Sequence, residues 1–182
     1  MAKYIILDTE TTGAAENDRV IQLGYLVLDP GKPVEIHNEL CSTEVPIAFG
    51  AMEVHNITPE MIAGKPACSE LEAYRRLLEL NTQENYIIIH NAPFDIGMLE
   101  KEGFALEMKL IDTLRVAKHI FPESDYHRLQ YFRYALELYK EEEAEAAKLG
   151  IELKAHDALG DVLFLKLLLT KLRTEVQKRF PD

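Results

Sequence analysis

The feature that most narrows the fold is the run Tyr4-Ile5-Ile6-Leu7, stopped at once by Asp8. A short, continuously apolar segment reads as a strand buried on both faces, and such strands occur where helices cover both sides of a sheet. Tyr86 to Ile89 repeats the pattern far downstream. Between them, Val20 to Leu28 is a longer β-rich run that ends in the turn signal Asp29-Pro30-Gly31-Lys32-Pro33. Val34-Glu35-Ile36-His37 then alternates apolar and polar residues, so the two runs predict an antiparallel hairpin. Lys109 to Ile111 adds one more short strand.

Helical signals fill the intervals. Thr58 reads as an N-cap with Pro59 in the first turn. Ser69 to Leu80 places Leu71, Leu77 and Leu78 at helical spacing, and Pro93 to Glu100, Thr113 to His119 and Leu129 to Tyr139 follow as helices. The acidic, alanine-rich segment from Glu141 to Ala147 reads as a solvated helix face. A final helix spans about Ala158 to about Arg179, with an apolar stripe at Leu163, Phe164, Leu167, Leu168 and Leu172. The order βββ-α-β-α-β-α-α predicts an α/β fold, a mixed sheet with helices packed on it. No repeat or composition break divides the 182 residues, so 1–182 is expected to form a single domain large enough to bury a core.

Charge restricts the function classes. Lys and Arg total 20 against 31 Asp and Glu, a formal net charge of -11. That balance argues against coating duplex nucleic acid through a broad basic face, which needs Lys and Arg to neutralise phosphates. It is compatible with an enzyme that holds a strand end through metal ions, because a bound dication reverses the sign of an acidic pocket. Cys41 and Cys68 have no CxxC spacing and read as small buried thiols. The start lacks the pattern of a signal peptide and no apolar stretch is long enough for a membrane span, so a cytoplasmic setting without a membrane partner is expected.

Three segments concentrate chemistry. In Leu7-Asp8-Thr9-Glu10-Thr11-Thr12-Gly13, Asp8 and Glu10 lie two apart and so leave the end of a buried strand on one face. Two bare carboxylates there repel each other unless a cation or a shared proton intervenes, which puts a metal-ligand role ahead of turn capping. Asp95 closes His90-Asn91-Ala92-Pro93-Phe94-Asp95 after the second buried strand; by itself it also fits a first-turn acid favoured by the helix dipole. The third segment, His156-Asp157-Ala158-Leu159-Gly160-Asp161, opens the last helix. Positions five apart on a regular helix differ by roughly 140°. His156 is therefore expected in the turn before the helix and Asp161 in its first turns, both looking into one cleft.

In order and spacing, these segments closely resemble the motifs of the DEDDh (DnaQ-like) 3′→5′ exonucleases, the superfamily that includes exonuclease X, RNase T and the epsilon proofreading subunit of bacterial DNA polymerase III. Met52-Glu53-Val54-His55-Asn56-Ile57-Thr58 is similar to a further segment of that family, which lies near the bound strand end. The resemblance runs from Ile5 to about Leu168 and implies an RNase H-like fold, a five-stranded mixed β-sheet flanked by α-helices. It also implies hydrolysis of phosphodiester bonds from the 3′ end of single-stranded DNA or RNA, with DNA favoured. Asp8, Glu10, Asp95 and Asp161 would hold two divalent ions about 4 Å apart, Mg²⁺ or Mn²⁺ by their preference for hard oxygen ligands. His156, with a reference pKa of roughly 6.5, would deprotonate the attacking water.

Substrate contacts are expected from Thr11, Gly13, Met52, His55, Asn91 and Phe94, where stacking on the last base tolerates every base identity; Met52 fits core packing nearly as well. An exoribonuclease of the RNase T or oligoribonuclease type and a non-catalytic nucleic-acid-binding module are the alternatives. A homodimer and polymerase or repair partners stay open. Three departures stand out: Asn56 where glycine is usual, Tyr126-His127-Arg128-Leu129 in place of a Ser-Leu helix start, and the acidic stretch Glu141 to Glu145. With no tail after the motifs resembling a polymerase tether, a free-standing enzyme is the expectation.

Overall fold

A computed structural model describes residues 1–152 and 157–180. In chain order the strands and helices are β1 (Tyr4–Thr11), β2 (Val20–Leu28), β3 (Glu35–Leu40), α1 (Phe49–His55), α2 (Pro59–Ile62), α3 (Glu72–Leu80), β4 (Tyr86–Ile89), α4 (Ala92–Lys101), β5 (Lys109–Asp112), α5 (Thr113–Ile120), α6 (Leu129–Ala135), α7 (Glu142–Leu149) and α8 (Ala158–Arg179). The strands form one mixed sheet in the order β3-β2-β1-β4-β5. β1 pairs antiparallel with β2 and parallel with β4, so the expected five-stranded mixed sheet is present.

Both faces of the sheet are covered, which is why β1, β2 and β4 read as unbroken apolar runs. On one face Ile6, Leu26 and Ile88 pack against Val162, Leu163 and Leu165 of α8. On the other, Ile5, Leu7, Tyr25 and Ile87 pack against Leu77 of α3 and Leu99 of α4. Gly24 on β2 lets α8 sit directly on the sheet: a Cβ there would lie 2.9 Å from the Ala158 Cβ and 3.0 Å from the main chain of Ala158 and Leu159. The remainder of α8 closes a further core with α5 and α6 through Ala117, Ile120, Phe132 and Leu168.

Three elements differ from the sequence-based expectation. β1 continues past Leu7 to Thr11, because β2 is long enough to pair with it throughout. α1 was not foreseen; its sequence carries Gly50 in the first turn, and Ala48 before it makes no side-chain cap bond, both weak helix signals. The helix expected over Leu129 to Tyr139 instead ends at Ala135. Glu137 takes the left-handed conformation (φ 56°) and a short 3-10 turn follows. Arg133 braces the resulting corner with a two-pronged ion pair to Glu142, at 3.1 and 2.9 Å.

Candidate metal centre and substrate cleft

The unequal pairing of β1 creates the site. Its parallel ladder with β4 stops at Ile6–Ile88, while its antiparallel ladder with β2 runs on to Thr11. The last residues of β1 thus have one open side at the C-terminal end of the sheet's central strand. Asp8 and Glu10 point from there toward the α8 face, and Asp161 meets them from the first turn of α8. Each of the three offers a carboxylate oxygen, and these oxygens all lie within 4.8 Å of one another. A register shift follows directly, between Glu10 and Thr11, as is common where a strand re-aims side chains beside a functional site.

Asp95 arrives from the opposite layer, in the first turn of α4. It is 3% exposed. Thr9, which faces away from Asp8 and Glu10, donates its main-chain N–H to Asp95 Oδ1 at 3.0 Å and its hydroxyl to the same oxygen at 2.8 Å. Where β4 no longer partners β1, the Asp95 carboxylate satisfies the strand's open N–H.

Burial and mutual repulsion dominate the electrostatics of the cluster. Burial, then Asp95, Asp161 and Glu10, push the Asp8 carboxyl well above its usual range. Burial and the neighbouring Asp161, Asp95 and Asp157 push Glu10 up to about 8. Asp95 is raised to about 7 by burial, against the opposing hydrogen bonds from Thr9. Carboxyl groups that burial and mutual repulsion keep protonated near neutrality are what a divalent cation would discharge. The all-oxygen donor set fits hard ions such as Mg²⁺ or Mn²⁺. His156 lies outside the described residues.

Several supporting residues had not been singled out in the sequence. Gln130 of α6 donates to Asp161 Oδ1 at 2.7 Å. Gln22, which interrupts the apolar run of β2, receives the Ala158 N–H on Oε1 at 3.2 Å and donates through Nε2 to the Asp157 carboxylate. Asn38 on β3 donates to the same carboxylate at 2.9 Å. These amides fasten the start of α8, and with it Asp161, to the sheet. The lone amide in β2 was the available signal; Asn38 and Gln130 carried none.

Beside the carboxylates lies a cavity of about 410 Å³ lined by Glu10, Thr11, Gly13, Val54, His55 and Phe94, among others. Gly13 is needed for close approach: a Cβ would fall 2.5 Å from the Asp18 carboxylate, which also accepts the Thr12 hydroxyl at 2.7 Å and the Ala15 N–H at 2.6 Å. His55 is buried. Its Nδ1 accepts the Ile57 N–H at 3.0 Å, so Nε2 carries the proton donated to the Thr11 carbonyl at 3.1 Å. Burial lowers its pKa, against the raising effect of the Thr11 bond, and His55 therefore acts as a neutral brace for the Thr11 main chain. Asn56 adopts the left-handed conformation (φ 56°) that glycine favours, so replacing the usual glycine leaves the turn in place. A larger cavity of about 630 Å³, lined by Gln22, Asn38, Met61 and Asp157, adjoins through His55.

Of the six substrate candidates, Thr11, Gly13, His55 and Phe94 converge on the cleft with Glu10. Met52 instead packs against the Ile21, Ile47, Ile57 and Ile62 core. Asn91 is exposed in the left-handed conformation (φ 72°), its main-chain N–H bound to Asp112 at 3.1 Å, and it does not line the cleft. Left-handed backbone at this position turns the chain from β4 into α4, and the side chain is carried outward.

The exonuclease family profile RNase_T matches residues 5–169. The chain is 31% identical over 189 residues to the PolC-type DNA polymerase III of Streptococcus agalactiae, covering 96% of this chain and 13% of that protein. It is 27% identical over 184 residues to the PolC-type enzyme of Clostridium perfringens (96% and 12%). With the DNA polymerase III subunit epsilon of Buchnera aphidicola it shares 28% identity over 149 residues, 66% of this chain and 56% of that one. The chain thus spans only 12% and 13% of the length of these PolC-type relatives. Among solved structures, exonuclease X in complex with 5′ overhanging duplex DNA superposes with a TM-score of 0.69 at 23% identity, over 96% of this chain and 92% of that one. Escherichia coli exonuclease I in complex with a dT13 oligonucleotide gives 0.70 at 21% identity, over 98% and 42%. These likenesses establish the RNase H-like fold. The chain belongs to the RNase_T exonuclease family, of the DnaQ-like type.

Proposed function

We propose that this chain, acting as one domain, is a metal-dependent 3′→5′ exonuclease that releases nucleotides from the 3′ end of single-stranded nucleic acid, with DNA favoured. One observation carries the reading: Asp8, Glu10 and Asp161 present oxygens within 4.8 Å of one another at the edge of a cleft that Glu10 shares with Thr11, Gly13, His55 and Phe94. Exonuclease X and exonuclease I, whose fold this chain shares, are seen bound to DNA, which supports DNA as the substrate. The polymerase III relatives support a cytoplasmic place beside a polymerase or in repair. No helix among the described residues is long and apolar enough to cross a membrane.

In this reading Asp8, Glu10, Asp95 and Asp161 hold two divalent ions. When bound, such ions neutralise the charge that builds on the phosphodiester and make its attacking water more acidic. The chain itself supplies orientation and proton transfer. Phe94 offers a stacking face for the last base, which works for any base. The Thr11 main chain, braced by His55, sets where the terminal sugar rests. His156 accepts the proton of the attacking water, a task suited to a group titrating near neutrality.

The test is degradation of 3′ ends in single-stranded DNA and RNA of equal length, with Mg²⁺, with Mn²⁺ and in chelator. Mononucleotide release from DNA that stops in chelator and in Asp8→Ala is the expected result. Faster release from RNA would favour the exoribonuclease reading, and unchanged turnover by Asp8→Ala would overturn the metal assignment.

A further inference from the structure

The helix start Tyr126-His127-Arg128-Leu129 breaks a local rule. Arg128 occupies the N-cap of α6 and makes no side-chain cap bond there. Serine is favoured at such a position, and a cation is disfavoured by the positive end of the helix dipole. Residues that violate local preference without local compensation tend to mark functional positions.

Arg128 is exposed, and its guanidinium lies over the Tyr126 ring, 4.9 Å from the centroid. Tyr126 is itself 55% exposed and is held edge-on by Tyr131 at 5.5 Å. Arg19, Arg76 and Arg133 are each engaged by carboxylates; among the described residues Arg128 forms no ion pair. The residues flanking Arg128 bond to the two segments that carry Asp95 and Asp161. One neighbour, His127, gives its carbonyl to His90 Nε2 at 2.7 Å, which ties it to the segment that leads to Asp95. Two positions along, Gln130 donates to Asp161 at 2.7 Å. A chain with net charge -11 that receives a polyanion at four carboxylates needs fixed positive charge near the strand's approach, and Arg128 is placed to supply it.

Resting on the nuclease reading above, we infer that Arg128, stacked on Tyr126, binds a backbone phosphate of the strand upstream of the terminal nucleotide. The planar guanidinium is pre-organised by the ring beneath it, leaving its N–H edge for phosphate oxygens. Tyr126 offers a face to an upstream base.

The experiment compares a single-stranded oligonucleotide with the 5′-p-nitrophenyl ester of thymidine monophosphate, which has one nucleotide and no upstream phosphate. Arg128→Ala is expected to raise the ratio of KM for the oligonucleotide to KM for the ester about tenfold, the size of one charge-assisted hydrogen bond. It should also make the slope of log affinity against log salt shallower by about 0.7, the value for one phosphate contact on a single strand. Arg128→Lys should retain most of the salt slope. Tyr126→Leu should weaken oligonucleotide binding while leaving that slope as it is. Turnover by the parent chain together with an unchanged salt slope in Arg128→Ala would overturn this inference alone. A parent chain that neither binds nor cleaves the oligonucleotide would overturn the inference and the nuclease reading together.

Discussion

Thr9 donates both its main-chain N–H and its hydroxyl to a single oxygen of Asp95, across 86 residues of sequence. This pair links the two layers that flank the sheet, because Thr9 belongs to the strand that presents Asp8 and Glu10 while Asp95 belongs to α4. Groups that orient a metal ligand typically affect metal affinity 10- to 100-fold. Thr9→Val keeps the shape and removes the hydroxyl. It is expected to raise the Mg²⁺ concentration needed for half-maximal activity by roughly tenfold and to push the Asp95 carboxyl further up. Titration of activity against Mg²⁺ checks it; an unchanged curve would show that the hydroxyl does not position Asp95.

The carboxylate cluster makes the metal-free protein sensitive to pH. Glu10 is raised to about 8 and Asp95 to about 7 in the folded chain. A carboxyl whose pKa is higher folded than unfolded stabilises the fold most below its unfolded pKa, and that contribution is lost as pH rises through the folded value. In chelator, Tm of the parent should therefore fall relative to Glu10→Gln between about pH 5 and pH 8, and Mg²⁺ should stabilise the parent more at the upper end. Thermal scans across that range test the sign. A parent Tm that holds level or rises relative to the variant across that range would contradict the raised carboxyls.

Removing a ligand should separate activity from stability. Asp8→Ala or Asp161→Ala is expected to reduce cleavage by roughly a thousandfold or more, since several kcal/mol of charge stabilisation are lost at 1.36 kcal/mol per tenfold. Tm in chelator should stay level or rise, because one member of a mutually repelling set is gone. His156→Ala should lower the rate by roughly 10²- to 10⁴-fold, the range for general acid–base catalysis, with metal binding measured by calorimetry left intact.

Gly24→Ala probes how α8 is seated. The added Cβ would meet Ala158 at 2.9 Å and the helix main chain at 3.0 Å. Overpacking of this kind costs about 1–3 kcal/mol. Since Asp161 rides on the first turn of that helix, reduced denaturant stability should be accompanied by a higher Mg²⁺ concentration for half-maximal activity. Loss of stability with an unaltered Mg²⁺ response would show that Asp161 keeps its place when the helix shifts.

The residue order by itself determined the layered α/β architecture and the Asp8–Glu10 pair, since both follow from local rules: an unbroken apolar run requires cover on two faces, and alternate strand residues share a side. The positions of Asp95 and Asp161 were legible only through the resemblance of their motifs. Tertiary structure decided the rest. It set how Thr9 holds Asp95, how Gln22 and Asn38 secure the start of α8 through Asp157, and why Met52 faces a core while Val54 reaches the cleft. It also formed α1 from a weak helical sequence, and it broke the expected helix at Glu137, where Arg133 and Glu142 hold a corner. The physical reason is the same in each case. A periodic pattern is written within one element, whereas a hydrogen bond between distant segments depends on where two separately formed elements end, and that is settled only when they pack.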